Sequence, residues 1–365
     1  MKSLELVSQV GSDGMLALSL AEVDVKSPGP DEIVVKVQAA PINPSDLGLL
    51  LGPVDPATVR VEGDRTLFTV PEKRLAGLKA RLDQPMRVGN EGAGVVVEAG
   101  ANAQHMVGKT VAIFGGTFAQ YKLFDHRHVI ALPAGATAEQ GAAIFVNPLT
   151  ALAMTEVMKR EGHHAIVHTA AASNLGQMLV KICLKDGIPL VNIVRKPEQA
   201  ALLKELGATH IIDSTSPQFT AELAAAVEAT NATLAFDAIG GGPLVNQILH
   251  AMEAAQLKKL TAYNRYGSPV HKQVYIYGML DPGPTQLDRN YGFAWGVASF
   301  LITPYMAKLG ADGQKLRARI LAELTTTFAS TYTATISLRE AIRPDMIARY
   351  AKRATGEKYL IDPSK

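Results

Sequence analysis

The chain has 365 residues, 47% of them hydrophobic and 19% charged, with a formal net charge of +2. This length and polarity suit a globular protein with room for two domains, and no segment approaches a membrane span. The near-balanced charge, without Lys and Arg clustered among aromatics, excludes a nucleic-acid partner, and the single Cys183 excludes an internal disulfide or thiolate metal cluster.

The N-terminus Met1-Lys2-Ser3-Leu4-Glu5 lacks the apolar run of a secretion signal, so a cytoplasmic location is expected. From 4 to 132 short apolar runs are separated by Gly and Pro, which predicts strands over 16–20, 32–39, 94–98, 110–114 and 119–124 and a β-rich domain. Two polar, turn-rich stretches, Pro41-Ile42-Asn43-Pro44-Ser45-Asp46 and Gly89-Asn90-Glu91-Gly92-Ala93-Gly94, offer backbone and side chains to a ligand. Between them, 53–88 is a long excursion carrying Arg60, Arg65, Lys73, Arg74, Lys79, Arg81 and Arg87, read either as a solvated insertion or as a substrate loop.

The pattern turns helical from Thr137, and Asn147-Pro148-Leu149-Thr150-Ala151 opens the helix that leads into the second domain. Asn147 and Thr150 are expected beside the carboxyl edge of its sheet, where ligands bind in doubly wound folds. Residues 165–213 then alternate apolar runs with amphipathic helices in the order βαβαβ, which favours a parallel sheet covered by helices. Its first turn, Ala170-Ala171-Ala172-Ser173-Asn174-Leu175-Gly176, is built of small side chains at a helix N-terminus, so a pyrophosphate can approach the backbone. Ala171, Ser173 and Gly176 hold the places of the usual dinucleotide glycines, and Asn174 is expected in the left-handed conformation that Asn tolerates. The second strand, 190–194, ends at Arg195-Lys196, where the adenosine ribose is read. A guanidinium and an ammonium there suit a 2′-phosphate, which points to NADPH; the alternative is a solvated helix start.

A strand over 233–238 ends in Ile239-Gly240-Gly241-Gly242, glycines that let the backbone pass close to a nicotinamide or its ribose. After it come a strand over 273–278, a loop rich in Pro, Gly and aromatics over 279–295, and a helix over 314–328 that returns the chain to the first domain. A capped helix near 337–341 and a closing strand near 359–361 end it. The domains are expected at 1–135 with 311–365, β-rich, and at 136–310, dinucleotide-binding. His168 reads as a hydrogen-bonded packing residue, and His163-His164 lack a third ligand at metal spacing. Trp295, Phe293 and Phe300 are read either as a flat apolar pocket or as a core or dimer contact.

Asn43-Pro44-Ser45-Asp46, Gly89 to Gly94, Ala119-Gln120-Tyr121, Asn147 to Ala151, the phosphate turn, Leu206-Gly207-Ala208 and Arg353-Ala354-Thr355-Gly356 follow one another in a telling order. Together they resemble the zinc-independent branch of the medium-chain dehydrogenase/reductases, the quinone oxidoreductases and enoyl-thioester reductases, over nearly the whole chain. The resemblance implies an α/β protein in which a GroES-like β-rich domain is broken by a Rossmann domain with a doubly wound parallel sheet, the cofactor lying between them. It also implies hydride transfer to an electron-poor acceptor, and a homodimer paired through a Rossmann edge strand, here 274–277. By similarity, Asn43 and Thr150, with Asn147 close by, contact the nicotinamide half. Ala172, Ser173, Asn174, Leu175 and Gly176 hold the pyrophosphate, and Arg195 and Lys196 the 2′-phosphate. Ile239, Gly240, Tyr277, Gly278 and Met279 line the ribose and ring, and Arg353 and Lys358 close over the cofactor. Asn43 and Tyr277 are the candidate catalytic residues.

Two departures narrow the reading. Zinc-dependent relatives place a Cys near Asn43 and a His before Glu91, but Pro44-Ser45 and Asn90 stand here, so no metal is expected. Enoyl-thioester reductases carry a Tyr shortly after the first motif, whereas Leu49-Leu50-Leu51-Gly52-Pro53 has none, leaving Tyr121, Tyr263, Tyr266 or Tyr277 as proton sources. The expectation is an NADPH-dependent reductase of a quinone or other α,β-unsaturated carbonyl, a small-molecule electron acceptor. The alternatives are a 2-enoyl thioester reductase whose basic stretch 60–87 meets a carrier, and an NADPH-binding protein without turnover.

Overall fold

The computed structural model describes residues 1–365. By packing, the chain divides into two compact units, Met1–Val146 with Leu321–Lys365, and Asn147–Ile320. The change of sequence pattern places these divisions about ten residues earlier, at 135/136 and 310/311. Two local facts move them. Ala138 and Ala142 join Ala39, Ala93 and Leu360 in one apolar cluster of the first unit. The helix Ala311–Ala322 is held to the second unit by Arg160 to Asp312 at 2.7 Å and by Arg319 to Asp186 at 2.7 Å.

The first unit is a pair of mostly antiparallel sheets around one core. One sheet runs in the order Arg60–Glu62, Arg65–Thr69, Met15–Asp24, Lys2–Val10, Met86–Arg87. The other is built on Glu32–Pro41, flanked by Glu91–Ala99 and Tyr121–Asp125 and closed by Tyr359–Ile361 from the far end of the chain. Alternation decides the inward faces: Leu16 and Leu18 on one strand, and Ile33, Val35 and Val37 on another, are fully buried.

The excursion over 53–88 is largely exposed, as a solvated insertion would be, but part of it is built into the unit. Its strand Arg65–Thr69 pairs with Met15–Asp24, Leu16 opposite Phe68, and buries Phe68 in the core. Two of its seven basic residues turn inward: Arg81 Nη2 donates to Ser8 Oγ at 2.8 Å and to the Leu49 carbonyl at 2.5 Å, and Arg87 pairs with the buried Glu5 at 2.9 Å; Arg60, Arg65, Lys73, Arg74 and Lys79 are exposed.

The second unit holds a six-stranded sheet, parallel throughout, in the order His210–Asp213, Leu190–Val194, Ile166–Thr169, Leu234–Asp237, Lys272–Ile276, Trp295–Ser299. Helices on both faces explain why every residue of Leu190–Val194 is buried and why the strands read as continuous apolar runs. The chain runs outward from Ile166–Thr169 in one direction and resumes beside it in the other. That reversal makes the carboxyl ends of Ile166–Thr169 and Leu234–Asp237 the switch point where doubly wound sheets take ligands.

Two expectations are corrected here. Trp295–Ser299 pairs in register with Lys272–Ile276, so 274–277 is an interior strand and cannot pair with a partner chain. The edge on that side is Trp295–Ser299, hidden in the sequence by the Pro- and Gly-rich loop before it and by its small residues. The returning helix ends at Ala322 rather than near 328, because Thr325-Thr326-Thr327 is a β-branched run that favours turns over helix. No helix is long and apolar enough to cross a membrane.

Candidate active site

The turn after Ile166–Thr169 is shaped by its own backbone. Ala170 takes the left-handed conformation, at φ 50°. Ser173 caps the helix Asn174–Asp186, its Oγ accepting from the Gly176 N–H at 3.1 Å. Asn174 is therefore the first helical residue, and the expectation that it is left-handed is wrong. With Ser173 extended and capping, the reversal of direction has to occur earlier, at Ala170. A Cβ on Gly176 would stand 2.1 Å from the Ala171 carbonyl oxygen, so only glycine fits there. Ala171 and Ala172 are buried and Leu175 points into the packed side, which leaves the small residues of the turn and the N-terminus of a helix of 13 residues facing outward. This cradle fits a pyrophosphate.

Arg195 and Lys196 follow Leu190–Val194 with exposed side chains. The Arg195 N–H donates to Gln199 Oε1 at 3.0 Å, which fixes the backbone and leaves the guanidinium out of that bond. Lys196 lies 3.7 Å from Glu198.

At the next strand end a buried carboxylate does the shaping, a residue that sequence reasoning passed over. Asp237 Oδ1 accepts from Thr169 Oγ1 at 2.6 Å and from the Ile239 N–H at 3.2 Å, while Oδ2 accepts from the Gly240 N–H at 2.7 Å. These bonds hold Gly240 at φ 83°. Gly278 allows the neighbouring segment to close on this turn, since a Cβ there would meet the Ala238 carbonyl at 2.5 Å. Tyr277 directly precedes Gly278, and its hydroxyl is bound to His168 Nε2 at 2.8 Å with the two rings stacked 5.7 Å apart. Burial pushes His168 down to about 3 and raises the Tyr277 phenol well above its ordinary value. A neutral imidazole and a reluctant phenol form an orienting pair. Met279, next in line, is largely exposed. Asn147 starts the helix Asn147–Arg160 half-buried, and Thr150 is buried on its first turn.

The structure thus brings 172–176, 195–196, 239–240 and 277–279 to the carboxyl edge of one sheet. It does not gather the three aromatics read as a pocket: Trp295 packs edge-on against Tyr291 at 5.0 Å, Phe300 against Phe236 at 5.5 Å, and Phe293 is exposed.

The first unit has its own polar cluster. Asn43 and Glu91 are buried, and Asn43 Nδ2 donates to Glu91 Oε1 at 2.8 Å. Asp46, also buried, accepts from the Asn43 and Asn90 N–H groups, each at 2.7 Å. Burial pushes Asp46 up to about 7 despite those two donors, and pushes Glu91 up as well. Lys358 supplies the cation. Its ammonium is buried without a hydrogen-bond partner, 5.6 Å from the centre of the Tyr332 ring, and burial lowers its pKa while the Glu91 and Asp46 carboxylates pull the other way. Arg353 is exposed and left-handed, at φ 50°. No group of three His, Cys, Asp or Glu side chains is close enough to hold a metal ion.

A GroES-like unit, and a doubly wound unit with a glycine-gated anion turn at its switch point, define a two-domain dinucleotide-type fold. The family model described as alcohol dehydrogenase GroES-like domain matches 29–134, and that described as zinc-binding dehydrogenase matches 174–255. The chain belongs to the medium-chain dehydrogenase/reductase family. It is 30% identical over 217 residues to the mitochondrial enoyl-[acyl-carrier-protein] reductase of Xenopus tropicalis, covering 57% of this chain and 55% of that one. It is likewise 30% identical over 217 residues to the chloroplastic quinone-oxidoreductase homolog of Spinacia oleracea, covering 56% and 59%. The chain therefore spans little more than half the length of these curated relatives. A crystal structure of a candidate NADPH:quinone reductase from Mesorhizobium loti superposes with a TM-score of 0.74 at 27% identity, over 99% of this chain and 98% of that one.

Proposed function

We propose that this protein is an NADPH-dependent oxidoreductase that reduces a quinone or another α,β-unsaturated carbonyl without zinc. The carrying observation is the turn at 170–176, where Gly176 has no room for a side chain and Ser173 caps the helix that faces the pyrophosphate. When bound, the nicotinamide supplies the hydride. The chain's own residues do the rest: 172–176 hold the pyrophosphate, and Arg195 and Lys196 meet the 2′-phosphate as charge-assisted donors. Ile239, Gly240, Tyr277, Gly278 and Met279 line the ribose and ring, with Tyr277 held in place by His168 rather than acting as the acid. Asn43, Asn147, Thr150, Arg353 and Lys358 complete the proposed contacts.

The zinc-free reading rests on Pro44-Ser45 and Asn90, which stand where zinc-dependent relatives place a Cys and a His, so soft and imidazole ligands are missing. The relatives named quinone-oxidoreductase homolog and NADPH:quinone reductase support the acceptor class. A second reading, reduction of a 2-enoyl thioester, is favoured by the relative named enoyl-[acyl-carrier-protein] reductase. Against it, Arg81 and Arg87 of the basic stretch are committed to internal partners. A cytoplasmic homodimer remains part of this proposal, and sedimentation of the purified protein tests the dimer.

Steady-state oxidation of NADPH with 1,4-benzoquinone and with crotonyl-CoA decides between the two acceptors; faster turnover of the thioester would overturn the first choice. NADPH uptake without oxidation by either would leave a binding protein. For the nucleotide, Arg195→Ala should weaken NADPH binding by about 10- to 100-fold and leave NADH unchanged.

A further inference from the structure

Glu91 is fully buried at the start of Glu91–Ala99, and donors enclose its carboxylate. Oε2 accepts from the backbone N–H groups of Phe145 at 2.8 Å and Val146 at 2.9 Å, and Oε1 accepts from Asn43 Nδ2 at 2.8 Å. An ionised carboxylate can only accept. With both oxygens of Glu91 acting as acceptors, the Asn43 amide has one workable orientation, NH₂ toward Glu91 and Oδ1 away from it. The Asn43 main chain is pinned too, through its N–H to Asp46 Oδ2 at 2.7 Å. That leaves Asn43 Oδ1 buried with no hydrogen-bond partner. Buried acceptors are almost always satisfied, so an orphan held this firmly calls for an explanation.

We infer that Glu91 is a positioning residue: it fixes the Asn43 amide so that Oδ1 accepts a hydrogen bond from an O–H or N–H group of the enclosed ligand. The polarity sets the ligand chemistry. A carboxamide NH₂ or a sugar hydroxyl satisfies the orphan oxygen, whereas a carbonyl oxygen would face it lone pair to lone pair. The identity of the ligand rests on the NADPH reading; the orientation of the amide does not. Lys358, Asp46 and the Tyr332 phenol are the other titratable groups coupled to Glu91. Burial raises the Glu91 carboxyl, and against it the Lys358 cation, the Phe145 and Val146 N–H groups and the Asn43 amide favour the ionised form on which the orientation depends.

Glu91→Gln tests this directly, because it has one acceptor and one NH₂. If the two backbone N–H groups keep the oxygen, the new NH₂ faces Asn43 and forces its amide to turn over, showing NH₂ where Oδ1 stood. Glu91→Gln and Asn43→Leu are each expected to weaken NADPH binding, or kcat/KM for 1,4-benzoquinone, by about 10- to 100-fold, with no further loss in the double variant. Losses that multiply, or a Glu91→Gln enzyme with both constants unchanged, would overturn the inference. A second measurement needs no nucleotide. The ¹⁵N resonance of the Asn43 side-chain NH₂, assigned by its disappearance in Asn43→Leu, should exchange slowly with solvent in the unmodified protein and shift in Glu91→Gln. If the protein takes up no NADPH, the proposed function fails while this resonance still decides the orientation. Should Glu91→Gln not fold, a rapidly exchanging Asn43 NH₂ in the unmodified protein overturns the inference by itself.

Discussion

The Thr169 hydroxyl donates to Asp237 Oδ1 at 2.6 Å while accepting from the Ala238 N–H at 2.8 Å, so one side chain ties two strand ends together at the switch point. The same Asp237 holds the N–H groups of Ile239 and Gly240. Thr169→Val keeps the shape and removes both bonds, leaving a buried N–H without a partner. Urea unfolding should show a loss of about 1–3 kcal/mol, and KM for NADPH should rise as the turn at Gly240 loosens. An unchanged KM alongside the lost stability would separate the fold from the site here.

Gly176 admits no Cβ, since the obstacle is the Ala171 carbonyl, a backbone group that cannot rotate aside. Gly176→Ala must shift the helix start or the turn. Overpacking of this kind costs about 1–3 kcal/mol. Calorimetric titration with NADPH should show binding weakened well beyond what the fall in melting temperature accounts for, because the displaced atoms are those proposed to hold the pyrophosphate.

Asp46 gives a pH signature. Its carboxyl lies near 7 in the folded chain, raised by burial from the ordinary 3.8. Between those two values the folded state holds a proton that the unfolded state has released. The contribution of Asp46 to stability is therefore complete below about pH 4 and is lost as the pH rises to about 7, a swing on the order of a few kcal/mol. Glu91 adds to it in the same direction, and His168, lowered to about 3, opposes it by losing stability as the pH falls below about 6.5. Asp46→Asn should flatten the fall in urea midpoint from pH 4 to pH 7 without abolishing it. An equally steep fall would show that Asp46 is ionised throughout.

The sequence carries the parts of this molecule that depend on near neighbours. The βαβ order, the small-residue turn, the Ser337-capped helix at 338–341 and the Arg195-Lys196 strand end all follow from spacing within some thirty residues. The misses are non-local. Arg65–Thr69 becomes a strand because Met15–Asp24 offers it an edge, and 274–277 is interior because Trp295–Ser299, weak in β signal, arrives beside it. The left-handed residue moved from Asn174 to Ala170 because the Ser173 cap overrode the intrinsic preference of Asn. Asp237 and the His168 partner of Tyr277 were not legible as site residues, and Glu91 was legible only as part of a turn-rich stretch: each acquires its role from groups 68, 109 or 54 positions away.

Tyr277 separates orientation from proton transfer. Its hydroxyl is bound to a buried His168 whose Nδ1 has no partner, so no relay leads a proton onward. Tyr277→Phe should lower kcat for quinone reduction by less than about 10-fold and cost about 1 kcal/mol of stability from the stranded imidazole. A fall of about 10² to 10⁴ would restore it as the general acid.

Ala170 bends left-handed with a side chain that resists the bend, at roughly 1–2 kcal/mol. Randomising that codon and selecting for heat resistance should enrich glycine and asparagine and purge valine and isoleucine. The position just ahead of the anion turn is one where a more durable protein lies a single substitution away.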